Sequence, residues 1–207
     1  MPRRPPVIAV AGLLAGALAL GGCGSSNKSG VSGPTGSAGS QQESAAALAA
    51  DARSAATGDI PDNQNFLTLK DPRLRVSMLY PEGWTVKTSA SGVTISDKNN
   101  LVRISVAAGS TPTVSSVRAR LAALKSSTPG LTAGTPQAIS LRSGPAVKAI
   151  YTTQSAPNPV TGKQVRLTVD RYELARGGRV ATVDLGTPVG VDNVDAYKRM
   201  IESFRWQ

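Results

Sequence analysis

Asp71-Pro72-Arg73-Leu74-Arg75-Val76-Ser77-Met78-Leu79-Tyr80-Pro81-Glu82-Gly83-Trp84 is the stretch of this 207-residue chain from which a fold can be read. Leu74, Val76, Met78 and Tyr80 recur at every second position, which places them on one face of a β-strand. Pro81 fixes φ and Gly83 accepts a positive φ, so Pro81-Glu82-Gly83 makes a tight corner able to tuck the Trp84 ring beneath a sheet. An aromatic beside such a corner is usually packed, so Trp84 reads as core, with an exposed interface anchor as the other reading.

The same period of two recurs outward from this stretch. It marks Val93 and Ile95; Val102, Ile104 and Val106; Val147, Ala149 and Tyr151; Val165, Leu167 and Val169; and Ala181, Val183 and Leu185. Asp97-Lys98-Asn99-Asn100, Pro157-Asn158-Pro159 and Gly177-Gly178 supply turns, and short turns favour antiparallel neighbours. Between Val169 and Tyr172 the apolar positions shift from odd to even, which predicts a bulge near Asp170-Arg171 or burial on both faces. Two segments have helical spacing. Val114, Val117, Leu121 and Leu124 follow Thr113 as N-cap and precede Lys125; Val194, Tyr197, Met200, Ile201 and Phe204 form a stripe behind Asp192 and Asp195. Arg205-Trp206 is expected at the rim. Residues 65–207 therefore read as one α+β domain, an antiparallel β-sheet covered by helices, with no obvious internal repeat.

Asp71 to Val76, the Tyr80-Pro81-Glu82-Gly83-Trp84 turn, a helix after the Val102 strand and the closing Ile201-Glu202-Ser203-Phe204 together resemble the PsbP/Mog1 group. The turn is the most specific piece, and the resemblance spans nearly the whole globular part. It implies an antiparallel sheet covered by helices as an α/β/α sandwich, and a binding or assembly role, since better-known members dock onto photosystem subunits or a small GTPase and are not enzymes. No contact residues carry over position by position. Lipid-anchored proteins of this type are widespread in high-GC Gram-positive (actinobacterial) species, and the Ala, Gly, Arg and Val richness here is similar.

Ahead of the domain, Arg3 and Arg4 precede an uncharged stretch from Pro5 to Leu20, the layout of a secretory signal peptide and too short to span a membrane comfortably as a mature helix. Leu20-Gly21-Gly22-Cys23 resembles the bacterial lipobox. It implies cleavage between Gly22 and Cys23, a diacylglycerol thioether on Cys23, and a signal peptide over 1–22. At about 0.8 kcal/mol per buried methylene, two or three acyl chains would hold a domain on a membrane effectively permanently. The expected location is the outer face of the cytoplasmic membrane. Residues 23–64 read as a tether: the Gly, Ser, Asn, Thr, Pro and Gln run to Gln42 buries too little to offset ordering entropy, and about 20 such residues reach roughly 25 Å. Glu43 to Ala56 is Ala-dense enough for a short stalk helix.

Removing 1–22 takes Arg3 and Arg4 from 23 cations, so 21 stand against 13 acids and the mature charge is near +8. An anionic leaflet, an acidic wall polymer or an acidic protein surface suits such a field, and nucleic acid does not suit the location. If Val76, Val102, Val147 and Val165 mark the buried side, Arg75, Arg103, Lys148 and Arg166 alternate outward as a candidate partner-binding basic face; a solvated face with dispersed cations is the alternative.

The chain has no histidine, which excludes a Ser-His-Asp triad, a histidine base and histidine-ligated metal. Acylation of the single cysteine removes thiol chemistry and cysteine-ligated zinc. Ser25-Ser26-Asn27-Lys28 lies where nothing positions a nucleophile, Asp62-Asn63-Gln64-Asn65 lacks the later ligands of a calcium loop, and Gly162-Lys163-Gln164 lacks the rest of a phosphate loop. Asp170 and Glu173 are the carboxylates most open to pairing, at a spacing diagnostic of nothing. No catalytic residue, metal site or cofactor is expected. The reading is a membrane-anchored, non-enzymatic protein-binding or assembly module; the alternatives are a carboxylate-type envelope hydrolase and a carrier of a lipid or small apolar ligand.

Overall fold

The computed structural model describes residues 57–128, 130–158 and 160–207. The expected signal peptide, Gly22, Cys23, the Ser25–Lys28 motif, and the expected tether up to 56 with its Ala-rich stretch lie outside the described residues. Within them, no helix is long and apolar enough to cross a membrane.

The decisive stretch is a hairpin and its turn. β1 (Phe66–Asp71) pairs antiparallel with β2 (Val76–Pro81), and Asp71 to Arg75 forms the bend between them. Asp71 Oδ1 accepts from the Arg73 and Leu74 N–H groups at 2.9 and 3.0 Å, and Arg75 stands at φ 50°. Leu74 is thus buried from the turn instead of from the strand where its spacing had placed it. Pro81-Glu82-Gly83 turns the chain with Gly83 at φ 89°, and Trp84 packs half-buried against the core.

From there β3 (Thr85–Ser89), β4 (Gly92–Asp97) and β5 (Asn100–Ala108) run as a meander. Next come α1 (Val114–Ser127), β6 (Thr132–Ala133), β7 (Gln137–Leu141), β8 (Gly144–Gln154), β9 (Arg166–Arg176), β10 (Arg179–Pro188), α2 (Val194–Ser203) and β11 (Arg205–Trp206). The eight-stranded sheet has the order β3-β4-β5-β10-β9-β8-β6, with β7 also on β8; β1, β2 and β11 form a second, three-stranded sheet. Every pairing is antiparallel.

The large sheet is buried on both faces by different partners. On one face Val93, Ile95, Val102, Ile104, Tyr172, Leu174, Val183 and Leu185 share the main core with Val76 and Met78 of the small sheet and with Tyr197, Met200, Ile201 and Phe204 of α2. On the other, Val117 and Leu121 of α1 lie on Val147, Ala149, Tyr151, Leu167 and Val169. β9 pairs with β8 and β10 in unbroken register, so it carries no bulge. Its odd residues Leu167 and Val169 serve the α1 core and its even residues Tyr172 and Leu174 the main core, which accounts for the shift from odd to even positions.

α1 starts where expected, with a reciprocal cap between Thr113 and Ser116. Two expectations are corrected. Trp206 is not at the rim: β11 adds to the edge of β2, and the indole is buried edge-on to Phe204 with centroids 5.6 Å apart. The tether does not run to residue 64, because Ile60 belongs to the main core and Gly58 is held by buried amides. Asn193 Oδ1 accepts from the Ile60 N–H at 2.8 Å, while Asn193 Nδ2 and Asn100 Nδ2 both donate to the Gly58 carbonyl.

Candidate binding surfaces

The four cations expected to share one face are distributed by the fold over three surfaces. Arg103 pairs across from Asp184, whose other neighbour is Arg171, on the face bearing α1. Lys148 and Arg166 pair across from Tyr172 and Gln154, on the face of the main core, and Arg75 belongs to the turn of the small sheet. Strand alternation supplied the outward direction of each, but the register decides which outward side it is.

Each internal charge is engaged. Arg171 grips Asp184 through Nε and an Nη at 2.7 Å each and lies over the Tyr151 ring at 5.3 Å. Burial lowers the Arg171 pKa, but bonding to Asp184 outweighs it and leaves the guanidinium more firmly protonated than usual. Burial, with Asp184 next in effect, pushes the Tyr151 hydroxyl up to about 12. Glu173, 1% exposed, takes Arg120 of α1 on Oε2, while Oε1 has no hydrogen-bond partner among the described residues. Lys148 lies 2.6 Å from Asp170, which also accepts from the Tyr172 hydroxyl at 3.3 Å. Burial alone would lower the Lys148 pKa; Asp170 reverses this and raises it.

Asp170 and Glu173 therefore do not form a carboxylate pair: one faces the main core, the other α1. Among the described residues, no three Asp, Glu, His or Cys side chains gather where a metal could be held. Between sheet and α2, Met78, Met200 and Phe204 fill the space with no exposure at all.

The fold also assembles a cluster that the linear sequence conceals. The turns β1–β2, β3–β4, β7–β8 and β9–β10, with β11, meet at one end of the domain. Arg73 reaches the Ser89 carbonyl at 3.0 Å, Arg179 donates to the Leu74 carbonyl and lies over Trp206 at 5.5 Å, and the Gln207 N–H donates to Arg75 O at 2.9 Å. The β8–β9 pairing runs to Ala146 opposite Leu174, so the β7–β8 turn with Arg142 and the β9 end with Arg176 lie at the same end of the sheet. Arg73, Arg75, Arg142, Arg176, Arg179 and Arg205 thus share one pole. At the far ends of the same strands, the end that carries Gly58, lie Asp59, Asp62, Glu82, Asp97, Asp192 and Asp195, together with Lys98, Lys163 and Arg166. No periodicity signals this; only the strand pairing does.

No family model matches the chain, and no curated protein does. Among solved structures, the solution structure of cyanobacterial PsbP (CyanoP) from Synechocystis sp. PCC 6803 superposes with a TM-score of 0.52 at 15% identity, covering 72% of this chain and 98% of that one. The crystal structure of the Ran-binding protein Mog1p from Saccharomyces cerevisiae gives 0.45 at 9% identity, over 69% of this chain and 95% of that one. The fold expected from the Tyr80-to-Trp84 turn is thus the fold found: a PsbP-like α+β domain.

Proposed function

We propose that this chain is a non-enzymatic protein-binding or assembly module, fixed by lipid on Cys23 to the outer face of the cytoplasmic membrane after removal of residues 1–22. The observation that carries the binding reading is the engagement of the internal charges: Arg171 with Asp184, Glu173 with Arg120 and Lys148 with Asp170. Acid–base catalysis needs a titratable group poised near the working pH and open to substrate; here those groups neutralise one another, across strands for Arg171–Asp184 and Lys148–Asp170 and from helix to sheet for Arg120–Glu173. Filled packing between sheet and α2 supports a binding surface over an internal carrier cavity. The lipid anchor rests on Leu20-Gly21-Gly22-Cys23 alone. A PsbP-like fold is compatible with docking, and CyanoP and the Ran-binding Mog1p are the comparison points for fold only.

The test is chemical crosslinking on intact cells making the full chain with Cys23 in place, followed by mass spectrometry of what the domain captures. One reproducible protein partner is expected. Salt-sensitive recovery of lipid or wall polymer alone would contradict the reading.

A further inference from the structure

Arginines gather at one end of the domain, while most acids lie at the other beside Lys98, Lys163 and Arg166, and the ends are far apart. β8 and β10 have 11 and 10 residues, so at about 3.3 Å per residue roughly 35 Å separates the poles. That is about four Debye lengths at physiological salt, so each pole presents its own field to a partner whatever the net charge of the whole.

The arginine pole is also held in shape. Arg73 is bound to Asp71 and Ser89 O, Arg179 to Leu74 O and the Trp206 ring, and Arg205 Nη1 to the Glu202 and Phe204 carbonyls at 2.7 Å each. Arg75, Arg142 and Arg176 are exposed and make no side-chain hydrogen bond or ion pair among the described residues. Guanidinium forks match carboxylates in bidentate geometry, so the three free ones, Arg75, Arg142 and Arg176, set beside three that are held in place, suit the side-chain carboxylates of an acidic protein surface. Of the acids at this pole, Asp71 is buried against Arg73, while Glu202 gives Arg205 only its backbone carbonyl and keeps its carboxylate charge.

We infer that the arginine pole formed by the β1–β2, β3–β4, β7–β8 and β9–β10 turns is the docking surface for an acidic protein, a conclusion that rests on the binding-module reading above. The described chain enters at the other pole, through the Gly58 clasp.

The experiment uses the full chain, with Cys23, in intact cells, carrying a photo-crosslinking amino acid at Ala90 in the arginine pole or at Asn63 beside the chain entry; both positions are exposed. Adducts are mapped by mass spectrometry. From Ala90 they should fall on one protein, on peptides rich in Asp and Glu. They should drop at least about tenfold with Arg142→Glu plus Arg176→Glu, return when the captured acids are changed to Lys, and persist with Lys163→Glu plus Arg166→Glu, which removes the same charge near the other pole. An unchanged unfolding midpoint for each purified variant excludes misfolding. Equal loss in both double variants would reduce the effect to net charge and overturn the proposal, as would Ala90 adducts on phospholipid or wall polymer. Protein adducts from Asn63 alone would overturn the pole assignment yet leave a binding module; adducts from neither position would overturn both.

Discussion

Asn193 is a single buried amide on which the start of the domain depends. It accepts from Ile60 and lies within hydrogen-bond distance of Gly58 O, Asn100 Oδ1 and Thr187 Oγ1. Alanine there strands the Ile60 N–H and the amide acceptors, so Asn193→Ala should cost about 2–3 kcal/mol in urea unfolding and open 57–64 to protease in the folded protein; a loss under about 1 kcal/mol would mean the clasp is incidental. Tyr151 acts on the alkaline side. Its pKa is raised by burial from 10.0 to about 12, so the folded state favours the protonated phenol, and the stability this gives is complete below pH 10 and lost as pH rises from about 10 to about 12. Tyr151→Phe should flatten part of that loss, while Tyr172 and Tyr197, raised likewise by burial, keep the remainder. Asp71 acts on the acid side with the opposite sign. Burial opposes its charge, but Arg73 and the Leu74 and Arg73 N–H groups outweigh burial and hold the carboxyl below 3.8. Its contribution is present above that value and fades as pH falls through the lower folded pKa, and Asp71→Asn should remove the dependence.

Elements that bury one full side of a strand were legible in the sequence; elements at sheet edges were not. β4, β5, β8 and β10 carry apolar residues at every second position because one face of each lies on a core. β1, β3 and β7 are edge strands with few buried residues, so Phe66-Leu67-Thr68-Leu69-Lys70-Asp71 and Thr85-Val86-Lys87-Thr88-Ser89 show no alternation to read. Trp206 was misplaced because a two-residue strand has no period. The helices followed their spacing, and α1 gives a quantitative check. Leu121 is 2% exposed over the β8–β9 half of the sheet, so Leu121→Ala should cost about 2–4 kcal/mol, whereas Leu124→Ala at the half-buried edge should cost well under half as much. Equal costs in chemical denaturation would mean that α1 does not sit on Val147, Ala149 and Tyr151 as described.

At the scale of the molecule, the charge pattern depends on topology. Lysines and arginines are dispersed along the sequence, and alternation alone grouped Arg75, Arg103, Lys148 and Arg166, which the strand pairing then parted. The same pairing gathers arginines from separate turns at one pole and acids around the chain entry, an arrangement that needs the full strand order β3-β4-β5-β10-β9-β8 before it exists. The central proposal is that a PsbP-like binding domain is fixed to a membrane through lipid on Cys23. The most direct measurement is the intact mass of the protein extracted from membranes, with Cys23→Ala alongside. Lipidation predicts a chain lacking residues 1–22, with a diacylglycerol thioether on Cys23, and release or failed processing of the variant; a mature chain of unmodified mass, or a Cys23→Ala chain still bound at the cleaved mass, would contradict it.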